Sequence, residues 1–186
     1  MTDPEGYFTL RQIADELARR EGTDPEETYQ RCRALRQRDL FRPSHKDAGP
    51  TGTEYYPAEV LWRLRLEVPL VDLLGVNSDR LKRLDDAIRV EERDTLPNGR
   101  EIVTGLRAAI SGIRRDEDWI LAVELLRNTE TGGIRFNARL TPAWLARDPT
   151  TAEFRRDMMF LPPFELRAFL KIPATELLRP LLVKTE

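Results

Sequence analysis

The chain has a single cysteine, Cys32, and a single histidine, His45, in 186 residues. One thiol excludes an intramolecular disulfide and a thiolate zinc cage, and one imidazole leaves no partner for a His-built metal site. His45 lies in a glycine- and proline-rich loop, so no Ser/His/Asp or Cys/His constellation can be assembled, and neither a metal nor another cofactor is expected. Lysine is scarce: only Lys46, Lys82, Lys171 and Lys184 occur, and arginine carries the positive charge. The net charge is -2 and the pI about 5.7, so a nucleic-acid site has to be a local patch. No run approaches the roughly 18 apolar residues that a membrane span needs. The acidic start, Met1 to Phe8, lacks an apolar signal region, so a cytoplasmic protein is expected. Internal repeats, low-complexity segments and long heptad patterns are missing as well.

What is present suits one domain or two small ones, with 40% hydrophobic and 33% charged residues. The predicted fold class is mainly α with a small β component (α+β). A DNA-binding unit is expected over residues 1–76, and an α+β unit for dimerisation, effector response or interaction over 77–186.

The most informative stretch is near the N-terminus. Thr9 is a good N-cap, and Leu10, Ile13, Ala14, Leu17 and Ala18 follow at helical spacing, up to a stop near Gly22. Asp24 caps a second helix, predicted over 25–38. Pro25 stands at its first position, and Glu26 and Glu27 favour the positive end of its dipole. At 100° per residue, Thr28, Cys32 and Leu35 share one face, and Glu26, Gln30, Arg33 and Gln37 point the opposite way. Tyr29, Arg31, Arg36 and Arg38 flank that outward stripe. Cys32 is thus expected to be a small core hydrophobe rather than a sensor. From Thr28 to Lys46 six basic residues face one acidic one, Asp39.

After Leu40-Phe41 come two glycines and two prolines among residues 42–54, a loop. Tyr55-Tyr56 reads as a returning strand. Pro57-Ala58-Glu59 opens a third helix with Val60, Leu61, Leu64 and Val68 on its apolar face, and Pro69 is expected to break or bend it. A domain boundary is read at 76–78.

A polar stripe on an anchored second helix fits the major groove. Gln pairs there with adenine and Arg with guanine, each good pair worth about 1–3 kcal/mol of discrimination. The base-contact candidates are Tyr29, Gln30, Arg33 and Gln37. The backbone candidates on the two helices are Arg11, Arg31 and Arg36.

At these residues the chain resembles winged helix-turn-helix regulators of the MerR-like group. Phe8 to Leu17, Pro25-x-x-Thr28, Leu40-Phe41-Arg42-Pro43-Ser44, Gly52-Thr53-Glu54-Tyr55-Tyr56 and the helix with Val60, Leu61 and Leu64 carry the likeness. It spans about a third of the chain. It implies that the second helix enters the major groove and that the wing, 42–56, lies on the backbone, with Arg42, Ser44, Lys46 and Tyr55 or Tyr56 on phosphates.

The rest of the chain is less specific. Leu81, Leu84 and Ile88 predict a helix toward Glu92. Residues 88–103 fit either a helix or a hairpin, with Leu96-Pro97-Asn98-Gly99 as the turn. A helix is predicted over 104–115. Trp119 to Leu126 and Ile134 to Leu140 alternate as a β-hairpin around Gly132-Gly133. Thr141-Pro142 is expected to cap a short helix through Ala146, and Thr150-x-x-Glu153 another toward Met159. Pro162-Pro163 and Pro173 are expected to divide the apolar tail into short helices, for its own core or a partner chain.

Three functions compete on these grounds. One is a transcriptional regulator, a homodimer on double-stranded DNA with a protein partner or small-molecule effector at its C-terminal part. The second is a structural or adaptor DNA protein for prophage excision, packaging or segregation. The third is an interaction module whose helix-turn-helix no longer binds DNA. An enzyme is not expected: Asp85-Asp86, Glu91-Glu92 and Asp116-Glu117-Asp118 read as solvated helix ends and turns.

Overall fold

The computed structural model describes residues 6–49, 52–74, 78–96, 99, 101–146 and 164–182. It is a mixed α+β fold whose chain divides into two compact units, Met1–Leu81 and Lys82–Glu186.

The first unit holds β1 (Tyr7–Thr9), α1 (Leu10–Glu21), α2 (Pro25–Gln37), β2 (His45–Lys46), β3 (Glu54–Pro57) and α3 (Ala58–Leu74). Thr9 closes a reciprocal capping box with Gln12, and Gly22 ends α1 at φ 66, where a side chain would be strained. Asp24 accepts from the Glu27 N–H to start α2. The α1 face of Ile13, Ala14, Leu17 and Ala18 is buried, as are Thr28, Cys32 and Leu35 of α2. Three short antiparallel strands run in the order β1-β3-β2, pairing Phe8 with Tyr56 and His45 with Tyr55. The alternation of β3 turns Tyr56 inward, edge-on to Phe41 at 5.4 Å.

Pro69 does not break α3, which runs through it to Leu74. The proline forfeits one backbone bond, to the carbonyl four residues back. Burial of Leu64, Leu66, Val68 and Leu70 around it outweighs that loss.

In the second part, α4 (Ser78–Arg89) is followed by the hairpin β4 (Arg93–Thr95) and β5 (Glu101–Val103). Both alternatives for 88–103 thus share the segment: Ile88 ends in the helix, and the strands begin after it. Then come α5 (Leu106–Ile113), β6 (Trp119–Asn128), β7 (Ile134–Pro142), β8 (Phe164–Ile172) and α6 (Ala174–Leu182). The β6–β7 hairpin has the alternation the sequence predicts, with Leu121, Val123 and Leu140 buried. β6 is the centre of a sheet ordered β7-β6-β8, and α5 and α6 pack on it. Gly112 of α5 permits this, since a Cβ there would run into the Trp119 indole.

Two tail expectations are corrected. Residues 164–172 are a strand, not part of a run of short helices. Phe164, Leu166, Leu170 and Ile172 alternate with Glu165, Arg167 and Lys171, and the edge of β6 satisfies their backbone groups. Thr141-Pro142 belongs to β7, and a 3-10 turn, Ala143–Leu145, replaces the short helix. The helix expected from Thr150 to Met159 lies outside the described residues, as does the middle of the loop between β2 and β3, residues 50–51. Strands therefore take a larger share of the described residues than the sequence periodicities predict. Among the described residues no helix is long and apolar enough to cross a membrane.

Candidate nucleic-acid interface

The candidate residues all fall in the first unit, on α1, α2 and the β2–β3 strand pair. The α1–α2 connection is short. The Thr23 N–H donates to the Ala18 carbonyl at 3.1 Å, and the Thr23 and Thr28 hydroxyls bond each other at 2.9 Å. That fixes α2 with Thr28, Cys32 and Leu35 inward, the phase read from the sequence. Gln30, Arg33 and Gln37 are exposed, and Tyr29 is half-buried.

The outward residues are not equivalent. Glu26 accepts from Gln30 at 2.7 Å and pairs with Arg11 at 2.6 Å, so both partners hold its carboxyl below its usual range. Arg11 also pairs with Asp15 at 3.0 Å and lies 5.3 Å over the Tyr29 ring. Glu27 pairs with Arg31 at 2.7 Å. Arg36 donates to the Tyr56 hydroxyl at 3.3 Å and reaches Glu54 at 3.4 Å, tying α2 to β3. Arg42 is clamped by both oxygens of Asp39, at 2.9 and 2.5 Å.

Against this, Arg33, Gln37 and Arg38 are exposed and have no side-chain partner among the described residues. The proposed backbone contacts Arg11, Arg31, Arg36 and Arg42 thus already face carboxylates of their own chain. That was foreseeable from Glu27 and Arg31 at four residues' spacing, and from Asp39 and Arg42 at three. The outward phase was right, but counting basic residues overlooked the pairing.

The loop after α2 returns as a strand pair. The Ser44 N–H donates to Tyr55 O at 2.8 Å, and the Asp47 N–H to Thr53 O at 3.0 Å. Gly52 has no room for a Cβ, which would strike the Asp47 carbonyl. Ser44 and Lys46 are exposed. Tyr55 stacks on His45 at 4.6 Å, and Tyr7 meets His45 edge-on at 4.8 Å. The sequence reading missed Tyr7 because β1 is only three residues long.

Cys32 is fully buried. Burial, and then the Glu21 carboxylate, push its thiol up to about 12, so it holds its proton and is a poor nucleophile. Among the described residues no group of three His, Cys, Asp or Glu side chains could hold a metal. The carboxylate runs elsewhere face arginines: Asp86 pairs with Arg89, Glu117 with Arg115, and Asp116 with Arg179.

No protein-family model, curated protein or solved structure matches the chain.

Proposed function

We propose that the first unit is a winged helix-turn-helix that binds double-stranded DNA, and that the protein is a transcriptional regulator acting as a homodimer on paired half-sites. The observation that carries this reading is the outward end of α2. Arg33 and Gln37, with Arg38 at the C-cap, stand exposed and without a side-chain partner among the described residues, on a helix whose opposite face is anchored in the core.

In this reading α2 lies in the major groove. Arg33 reads guanine and Gln37 adenine, and Gln30 joins them by exchanging its bond to Glu26 for one to a base. The β2–β3 loop lies on the backbone with Ser44, Lys46 and Tyr55. Arg38 supplies the first electrostatic attraction, because Arg31 and Arg42 face carboxylates. The likeness to MerR-like regulators supports the same roles.

One observation favours a second reading. The N-terminal end of α2 presents Glu26 and Glu27, which repel phosphate, and a basic protein partner would suit that end of the helix better. Selection of bound duplexes from a randomised pool separates the two. The regulator reading predicts enrichment of a defined motif by the parent and loss of its guanine preference in Arg33→Ala. A pool that stays random for the parent contradicts it.

A further inference from the structure

In the second unit, one face of the β7-β6-β8 sheet borders an open cleft. The register puts Ala122 and Glu124 of β6 beside Arg139 and Asn137 of β7, with Phe169 of β8 opposite Glu124. With residues of α4, the following hairpin and the turn after β7, they enclose about 820 Å³, the size of a small-molecule site.

Its polar floor is uneven. Arg135 donates to Asn137 Oδ1 at 3.1 Å, and Asn137 donates to Glu124 at 3.4 Å, so this row is satisfied internally. Further along β7, Arg139 forms an ion pair with Glu92 at 3.9 Å. Two residues on, and on the same side of the strand, is Thr141. It is 3% exposed, and its hydroxyl has no hydrogen-bond partner among the described residues. A buried hydroxyl without a partner is costly, and a bound acceptor removes that cost.

The remaining lining selects the ligand. Arg83, Arg135 and Arg139 are balanced by Asp86, Glu92 and Glu124, so a polyanion would meet as much repulsion as attraction. Val90, 45% exposed, and Phe169 add apolar surface. We propose that this cleft binds a small organic monocarboxylate. Its carboxylate sits at Arg139 and the Thr141 hydroxyl, and its apolar body lies against Val90 and Phe169. The proposal stands independently of what the first unit binds.

Isothermal titration of the full chain with hydrocinnamate, its neutral amide and inorganic phosphate tests it. Hydrocinnamate should bind saturably at one site, the amide at least about tenfold more weakly for want of the charged hydrogen bonds, and phosphate not at all. Thr141→Val keeps the shape of the side chain and should melt no lower than the parent, yet bind hydrocinnamate about fivefold or more weakly. Arg139→Gln should bind it more weakly still. Absence of saturable binding, equal binding of acid and amide, phosphate binding as tight as hydrocinnamate, or undiminished binding by Thr141→Val would each overturn the proposal.

Discussion

The two ends of α2 share one buried face and differ in what they show to solvent. At the start, Glu26 and Glu27 engage Arg11, Gln30 and Arg31, so the polar surface is closed on itself. At the end, Arg33, Gln37 and Arg38 have no partner among the described residues. A count of basic residues treats the two ends alike. Their partners do not, and a DNA contact should be sought where a guanidinium has no carboxylate within reach.

The largest effect should come from removing what both ends rest on. Leu35 is 2% exposed, and Leu35→Ala should destabilise the first unit by about 2–5 kcal/mol in chemical denaturation. DNA binding would be lost along with the fold, whichever end makes contact.

Alkaline pH acts on the same foundation. Cys32 and Tyr56 both titrate at about 12 in the folded protein, against ordinary values of 9.0 and 10.0. Between these values the folded state holds protons that the unfolded state has released. Stability is therefore fully present below pH 9.0 and falls as the pH rises toward about 12. Denaturation midpoints measured across that range should decline, and Cys32→Ala should flatten the lower part of the decline. A stability that rises over the same range would contradict the burial of both groups.

Arg33→Ala separates the two ends. It should cost about 1–3 kcal/mol on the preferred sequence and little on random DNA, as read by competition binding, with no change in melting temperature. Arg31→Ala should alter affinity by less than about 1 kcal/mol, because Arg31 already pairs with Glu27. If Arg31→Ala instead matches Arg33→Ala, the difference between the ends disappears. Glu27→Gln sharpens it in the other direction. With the phosphate-repelling Glu27 charge removed, binding to all sequences should strengthen by up to about 1 kcal/mol, at a small cost in helix stability.

Legibility followed locality. The caps of α1 and α2, the inward phase of Thr28, Cys32 and Leu35, and the β6–β7 hairpin all depend on neighbours close in sequence, and the sequence shows them. β8 was missed because its pairing is remote: Ile172 faces Leu121, and prolines on both sides look like helix punctuation. β1 was missed because three residues carry too little alternation to register, although it completes the sheet that holds Tyr55. The break allowed at Pro69 does not occur, because burial on both sides of it outweighs a local rule. At the candidate interface, side-chain direction was legible and side-chain engagement was not. Engagement with Glu54 joins residues far apart in sequence, and engagement with Asp39 was hidden by adding up charges.

The most direct test is the salt dependence of binding to the selected duplex, followed by fluorescence anisotropy for the parent and for Arg33→Ala, Arg38→Ala and Arg31→Ala. DNA binding through the unengaged end of α2 predicts a linear fall of log affinity with log salt. It also predicts a slope shallower by roughly one for Arg38→Ala, and a slope close to the parent's for Arg31→Ala. Affinity that ignores salt, or one slope shared by the parent and Arg38→Ala, would show that this end of the helix does not meet DNA.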